Sequence, residues 1–198
     1  MAAKSYGAVV LTVTVVLALF AASPALQQIS ITAKVPPITE LSILGSYDNA
    51  SYPTNILSGQ SYQLYVNVVN QLGSYAYYVV EVKFRNEAQS APDSFDKTGS
   101  SLPPMDSFYF CLANSQSIKL PITFSINYSP DGTVANNMDA QSVVINGSPI
   151  DVNQTMALDW ARGGVYGNLF FELWRFNDAT NSFQYDQRYV SLWLNMTA

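Results

Sequence analysis

Apolar residues alternate with a period of two along this chain from residue 38 onward, and this spacing most constrains the fold. Three early runs carry the alternation: Leu41 and Ile43; Leu64, Val66 and Val68; Tyr78, Val80, Val82 and Phe84. Successive side chains of a strand point to opposite faces, so this spacing predicts half-buried β-strands instead of helices. The folded domain is predicted to span residues 38–198.

Five later runs are predicted as further strands, at residues 108–112, 120–128, 142–146, 168–176 and 184–195. Turn residues at 70–74 are expected to join the second and third early runs in a hairpin, and residues 177–182 to join the last two runs. The one plausible helical turn is 156–162, ended by Gly163-Gly164. The chain is therefore predicted to be all-β, a two-sheet antiparallel immunoglobulin-like sandwich without the Cys-Trp-Cys signature.

The side chains on the second face of the third early run are predicted to be exposed to solvent. It carries Tyr77, Val79, Glu81, Lys83 and Arg85. This face becomes polar toward its end, which is typical of a solvated sheet face. Residues 86–105, rich in Pro and Gly, are expected to form a long loop.

The last two runs are rich in aromatic residues: Phe170, Phe171, Trp174, Phe176, Phe183, Tyr185, Tyr189 and Trp193. Most of them are expected to be core residues or cross-strand pairs and not a ligand platform.

A hydrophobic segment precedes the predicted strands. Lys4 is the only charged residue before Lys34, and residues 8–22 are apolar apart from two threonines. Segment 1–27 is predicted to be either a signal peptide, with Ser23-Pro24-Ala25 at the cleavage site, or a transmembrane anchor of about 20 residues. Either way Lys4 favours a cytoplasmic N-terminus, which places the sandwich outside the membrane. Residues 28–37 are expected to be a linker or first strand.

The composition excludes several chemistries. The chain has no histidine, which excludes Ser-His-Asp and Cys-His catalysis and the usual zinc and copper sites. A net charge of -5, with nine scattered basic residues, argues against nucleic-acid binding. The single cysteine, Cys111, lies in an apolar run and is expected to be a buried, inert thiol.

Two weaker arrangements of acidic residues are considered. Glu172 and Asp186, on partner strands, are the first carboxylate pair to test for hydrolytic chemistry, although structural roles are favoured. The loop containing Asp131, Asn136 and Asp139 offers oxygen ligands for calcium but lacks the EF-hand spacing, so an ordinary polar loop is favoured. No catalytic residue, cofactor or metal site is predicted.

Five Asn-x-Ser/Thr triplets are candidate glycosylation sites: Asn49, Asn127, Asn146, Asn153 and Asn195. Two or three would arise by chance in a chain this rich in Ser and Thr. The excess favours a glycosylated exterior, with Asn127 and Asn195 doubtful because they lie within or beside predicted strands.

Several ordered blocks resemble one protein family. They are Tyr52-Pro53-Thr54-Asn55-Ile56, Gly59, Val82-Lys83-Phe84-Arg85-Asn86, Gln89-Ser90-Ala91-Pro92, Ser100-Ser101-Leu102-Pro103-Pro104, Phe171-Glu172-Leu173-Trp174 and Leu192-Trp193-Leu194-Asn195. Between residues 38 and 197 the chain resembles an archaeal membrane-protein family of unknown function, DUF sixteen-sixteen. The resemblance implies an extracytoplasmic β-sandwich attached to membrane helices and brings no catalytic residues. The single N-terminal hydrophobic segment departs from the several helices of larger members.

The leading functional hypothesis is a non-enzymatic archaeal cell-surface module, membrane-tethered or secreted, that binds other envelope proteins or glycans. An alternative is the subunit of an extracellular filament, in which the extended segment 28–35 completes a neighbour's sheet. A carboxylate-dependent glycan hydrolase built on Glu172 and Asp186 is the third hypothesis.

Overall fold

The computed structural model describes residues 10–17, 37–45 and 51–197. The chain divides into two compact units, Met1–Pro36 and Pro37–Ala198. In the first unit residues 10–17 are helical, and the rest of the predicted segment 1–27 lies outside the described residues, as do 28–36 and Asn49. Within the described ranges, no helix has the length and apolar character needed to cross a membrane.

The second unit consists of two β-sheets. Its strands are β1 (Ile38–Leu44), β2 (Asn55–Leu57), β3 (Tyr62–Gln71), β4 (Ala76–Arg85), β5 (Asp106–Leu112), β6 (Ser117–Pro130), β7 (Met138–Ile145), β8 (Ser148–Met156), β9 (Leu158–Asp159), β10 (Gly164–Asn177) and β11 (Ser182–Thr197). The first sheet has the order β1-β3-β6-β7-β8 and the second β2-β11-β10-β4-β5, with β9 paired to β10. The all-β, two-sheet prediction is confirmed. Its antiparallel part needs one correction, because β2 and β11 run parallel.

One hydrophobic core joins the two sheets. The first sheet contributes residues such as Leu64, Val66, Val68, Ile122 and Phe124, and the second Val80, Val82, Leu169, Phe171 and Leu173. These are the positions that the period-two alternation selects. The predicted C-terminal hairpin is also confirmed, since β10 and β11 pair from Asn177 and Ser182 back to Tyr166 and Asn195.

The predicted hairpin between β3 and β4 is wrong. β3 pairs with β1 and β6, whereas β4 pairs with β5 and β10, so the turn between them crosses from one sheet to the other. The buried side chain of Asn70 shapes this crossing. Its amide donates to the carbonyls of Ser74 and Leu112, at 2.8 and 2.9 Å, and accepts from the Leu72 N–H at 3.0 Å. A buried amide with these backbone partners stabilises a turn that leaves its own sheet.

The predicted helical turn at 156–162 forms only at its end, where the Gly163 N–H donates to the Asp159 carbonyl at 2.8 Å. β8 continues to Met156, and β9 follows at once. The Asp159 carboxylate accepts the N–H groups of Ala161 and Arg162, and Gly163 takes a left-handed conformation with φ of 68°. This Asx turn reverses the chain into β10 in place of a helix.

The face of the second sheet that points away from the core, called the outer face here, is not uniformly solvated as expected. Val79 and Lys83 are 3% and 2% exposed, and Glu172 on β10 is fully buried. The predicted loop 86–105 is confirmed as irregular, with one isolated bridge between Asp93 and Thr98. Its residues Gly99 and Ser100 lie against β10 and cover the middle of this face.

Candidate functional site

A buried charge cluster, made of Lys83, Glu81 and Glu172, lies on the covered part of the outer face. Glu81 and Lys83 are two apart on β4 and therefore share a face. Glu172 on β10 is directly opposite Glu81 in the antiparallel register. Directly opposite residues project to the same side of a sheet, so the two carboxylates flank one ammonium group.

The Lys83 ammonium has three oxygen neighbours, two of which accept hydrogen bonds from it. Its Nζ lies 2.7 Å from Glu172 Oε2, 3.0 Å from Glu81 Oε2 and 3.0 Å from the carbonyl oxygen of Ser100. The Trp174 ring centroid is 5.7 Å away. Two of the three N–H donors of the ammonium group therefore have acceptors in Glu172 and Ser100, and Glu81 adds an ion-pair contact.

Both oxygens of the Glu172 carboxylate accept hydrogen bonds. Oε1 accepts the backbone N–H of Ser100 at 2.5 Å, and Oε2 accepts Lys83 Nζ and, at 3.3 Å, Trp174 Nε1. Glu172 has no exposed surface, and Ser100 is 9% exposed. A buried charge is tolerated only when it is paired and hydrogen-bonded, and both conditions are met.

Gly99 allows the covering loop to approach this closely. A Cβ atom at this position would lie 2.6 Å from Cζ2 of Trp174 and 3.5 Å from Glu172 Oε2. Any larger residue would have to displace the indole or lift the loop. The Ser100 contacts to Lys83 and Glu172 therefore depend on the absence of a side chain at residue 99.

A second feature of the outer face is the aromatic patch, defined as Tyr75, Tyr77, Tyr109, Phe176 and Phe183. The residues come from β4, β5, β10 and β11 and from the residue before β4. Tyr75, Tyr77 and Tyr109 are 67%, 38% and 60% exposed. Exposed aromatic residues grouped in this way are unusual on a surface that contacts only water.

The rings of the patch pack edge to face. Ring centroids are 5.1 Å apart for Tyr77 and Phe183, 5.3 Å for Phe176 and Phe183, and 5.8 Å for Tyr109 and Phe183. The corresponding interplanar angles are 60°, 71° and 66°. The expectation of cross-strand aromatic pairs is confirmed here, and also by Trp174 against Tyr185.

Cys111 adjoins the aromatic patch and is exposed, so the prediction of a buried thiol is wrong. It faces outward because it is directly opposite Tyr77 in the register of β4 and β5, while Phe110 and Leu112 take the core side. A hydrogen bond with Cys111 raises the pKa of the Tyr75 hydroxyl. Alternating core and outer positions explain the exposure of a thiol within an apolar run.

Glu172 and Asp186 occupy separate environments. Glu172 is paired with Lys83, whereas Asp186 Oδ1 lies 3.5 Å from Arg175 Nε. Burial raises the pKa of Asp186 above the ordinary value of an aspartate, against the lowering effect of Arg175. The register of β10 and β11 shifts after Leu173, and Asp186 lies in this irregularity without a paired residue on β10. The two carboxylates therefore have different charged partners, and the hydrolase hypothesis stays a prediction.

In the loop that begins at Asp131, the carboxylate oxygens that could bind calcium accept hydrogen bonds from neighbouring residues. Asp131 Oδ1 accepts the Thr133 N–H and hydroxyl at 2.7 and 2.6 Å, and these bonds lower the pKa of its carboxyl. Asp139 accepts the Thr155 hydroxyl. In the part of the chain that the structure describes, no group of three His, Cys, Asp or Glu residues could hold a metal ion.

The four glycosylation candidates within the described residues differ in their exposure and in the hydrogen bonds of the side-chain amide. Asn146 is exposed at the left-handed turn between β7 and β8, with its oxygen bonded to Thr123. Asn153 is exposed on β8. Asn127 donates its amide to Ser142 at 2.8 Å, and Asn195 donates to Asn55 at 3.0 Å. Geometry therefore favours Asn146 and Asn153 as acceptors.

Replacing Ser148 by alanine is expected to remove one glycan from the native protein, because the substitution destroys the acceptor triplet at Asn146 without changing the asparagine. Ser129→Ala, which destroys the triplet at Asn127, is the matched control and is expected to leave the glycan mass unchanged. Intact mass spectrometry of protein from the native host measures both. A glycan lost from the Ser129 variant, or none on the parent chain, would contradict the assignment.

Comparisons with known proteins leave the family open. Neither a known protein family nor a curated protein matches the chain. Among solved structures, it is similar to a mutant β-glucosidase from Listeria innocua in complex with laminaribiose, with a TM-score of 0.42 and 10% identity over 82% of this chain. The same enzyme in complex with glucose gives a TM-score of 0.39 at 9% identity. This chain spans 16% of those chains. The resemblance to the archaeal membrane-protein family stays a prediction.

Proposed function

We propose that this chain is a non-enzymatic archaeal cell-surface protein with an immunoglobulin-like sandwich that binds another envelope protein through the aromatic patch. The N-terminal hydrophobic segment tethers it to the membrane or directs its secretion. Support for the location comes from that segment and from the acceptor triplets at Asn146 and Asn153. The aromatic patch is the observation that carries the binding proposal.

Three tyrosines and two phenylalanines grouped on one surface fit a protein interface. Tyrosine is among the residues enriched at binding hot spots, because its large ring excludes water while its hydroxyl keeps a hydrogen bond. Four of the five rings lie on strands of a paired sheet, so little conformational entropy is lost on binding.

The ring geometry favours a protein partner over a glycan. An extended glycan is best matched by a flat platform of rings, whereas Tyr77, Tyr109, Phe176 and Phe183 are inclined by 42° to 71° to one another in their contacting pairs. Inclined rings leave clefts between them, which aliphatic or aromatic side chains of a partner can fill.

The edge of β5 favours a second candidate, the filament subunit assembled by strand exchange. β5 is an edge strand of seven residues without Lys, Arg, Pro or a register shift, the devices that protect edges from added strands. Segment 28–35 alternates Ile29, Ile31, Ala33 and Val35 with polar residues, as an added strand would.

Photo-crosslinking in intact cells tests these proposals. A photoreactive phenylalanine analogue in place of Tyr109 is expected to form an adduct with one defined envelope protein. The same analogue in place of Gln141, which is exposed on β7 of the first sheet, is the matched control. Adding Phe183→Ser to the position-109 protein is expected to abolish the adduct, because it removes the central ring of the patch.

The identity of the adduct separates the candidates. A distinct protein that depends on Phe183 supports the interaction module. An adduct between two copies of this chain, present in filaments seen by electron microscopy, supports strand exchange instead. No adduct at position 109, or equal adducts at 109 and 141, would overturn the binding role of the aromatic patch.

A further inference from the structure

The buried charge cluster has the components of a bond-forming site. Lys83 Nζ lies 2.7 Å from a carboxylate oxygen of Glu172, and both groups are excluded from water. A second carboxylate, Glu81, contacts the same nitrogen at 3.0 Å. Lys83 and Glu172 are 89 positions apart in sequence, on neighbouring strands of one sheet.

Three physical effects favour reaction at this site. The low dielectric of the interior penalises buried charges, so an uncharged amide is favoured over the ion pair that it replaces. Fixed proximity of the two groups replaces a bimolecular encounter, which is worth a large effective concentration. Exclusion of water also removes the reagent that would reverse the condensation.

From this geometry we propose that Lys83 and Glu172 join in an intramolecular isopeptide bond that links β4 to β10. The neutral Nζ attacks Cδ of the Glu172 carboxylic acid, and an Nζ–Cδ bond forms. One Cδ–O bond then breaks, and that oxygen leaves as water. Two protons leave Nζ in total: the first converts the carboxylate to the acid, and the second completes the water. No oxidant, reductant or other co-reactant is required.

The neighbours of the reacting groups have defined roles. The Ser100 N–H, 2.5 Å from Glu172 Oε1, stabilises the negative charge that develops on this oxygen during attack. Glu81 accepts the second proton from Nζ and returns it to the departing oxygen, which general acid–base catalysis requires. Trp174 and Gly99 close the site on the side of the covering loop.

Tryptic peptide mapping of the full-length chain under denaturing conditions tests the bond. An unlinked chain is cut after Lys83 and releases peptide 35–83. A linked chain resists cleavage at Lys83 and yields peptide 35–85 joined to peptide 163–175, lighter than their sum by one water. A link to Glu81 would stay within 35–85, so the two carboxylates are distinguished. Complete cleavage after Lys83 in the folded parent protein would overturn the proposal.

Variants test the assigned roles. Lys83→Arg retains the positive charge without a reactive amine and is expected to abolish the joined peptide. Glu81→Gln removes the proton acceptor and is expected to lower the linked fraction at least tenfold at equal incubation time, the lower end of what general acid–base catalysis contributes being about a hundredfold. Glu87→Gln, a surface carboxylate outside the cluster, is the matched control and should link fully. Full linkage in Glu81→Gln would overturn the role of Glu81.

Discussion

Replacing Glu172 by alanine is expected to lower the free energy of unfolding by roughly 3–5 kcal/mol or more, because it leaves the Lys83 ammonium buried without its main partner and also removes the proposed link between β4 and β10. Denaturant unfolding followed by tryptophan fluorescence measures the change, with Trp174 as a reporter beside the cluster. Glu87→Ala, which removes an exposed carboxylate paired with Arg162, is expected to cost less than about 1 kcal/mol. Equal losses in the two variants would contradict the burial of the cluster.

The double variant Lys83→Met, Glu172→Leu distinguishes the cost of leaving one buried charge unpaired from the cost of removing both charges. Removing both charges leaves no buried ion unpaired, and apolar side chains of similar volume replace them. We therefore expect it to be more stable than Glu172→Ala. If the double variant is the less stable of the two, the hydrogen bonds to Ser100 contribute more than the charge pairing.

Replacing Phe171 by alanine is expected to cost roughly 3–5 kcal/mol, because the ring is fully buried between the sheets and its removal leaves a cavity. Phe176→Ala makes the same chemical change on the same strand but on the outer face. It is expected to cost about 1 kcal/mol, mainly from lost contacts with Tyr77 and Phe183. The difference in unfolding midpoint between the two variants tests whether Phe171 faces the core and Phe176 faces outward. Similar midpoints would contradict it.

Periodicity predicted the strands whose core faces are strongly apolar. β4 and β10 were recognised because Val80, Val82, Phe171 and Leu173 stand at alternate positions beside turn residues. β8 was missed because Ile150 and Val152 are its only large apolar residues before Met156, and polar residues occupy the rest. A strand with so little apolar surface is defined by pairing with β7, which the local sequence does not encode.

The connection between β3 and β4 could not be predicted because it depends on tertiary contacts. A short turn with a glycine favours a hairpin locally. The Asn70 amide instead bonds the carbonyl of Leu112, a residue 42 positions away, and fixes a crossing between sheets. The hydrogen bonds of the buried Asn70 side chain therefore outweigh the local preference of the turn for a hairpin.

The candidate site was the least predictable part. Lys83 and Glu81 alternate with core residues as solvated residues do, and this pattern does not indicate that a loop covers them. The register that brings Glu172 beside Lys83 joins residues 89 positions apart. Glu172 can be singled out from the sequence, but its contact with Lys83 cannot, because the register of β4 and β10 is unknown before the strands are paired.

The position of the last strand in the second sheet has a consequence for the order in which the chain folds. β11 lies between β2 and β10, so a sheet begun near residue 55 closes only when residues 182–197 arrive. A chain emerging N-terminus first can pair β1, β3, β6, β7 and β8, but β4 and β5 cover only part of the apolar side of that sheet until β10 and β11 follow. Such half-built states are prone to aggregate. Attachment of the growing chain at its N-terminus would keep these species apart until the final strands complete the molecule.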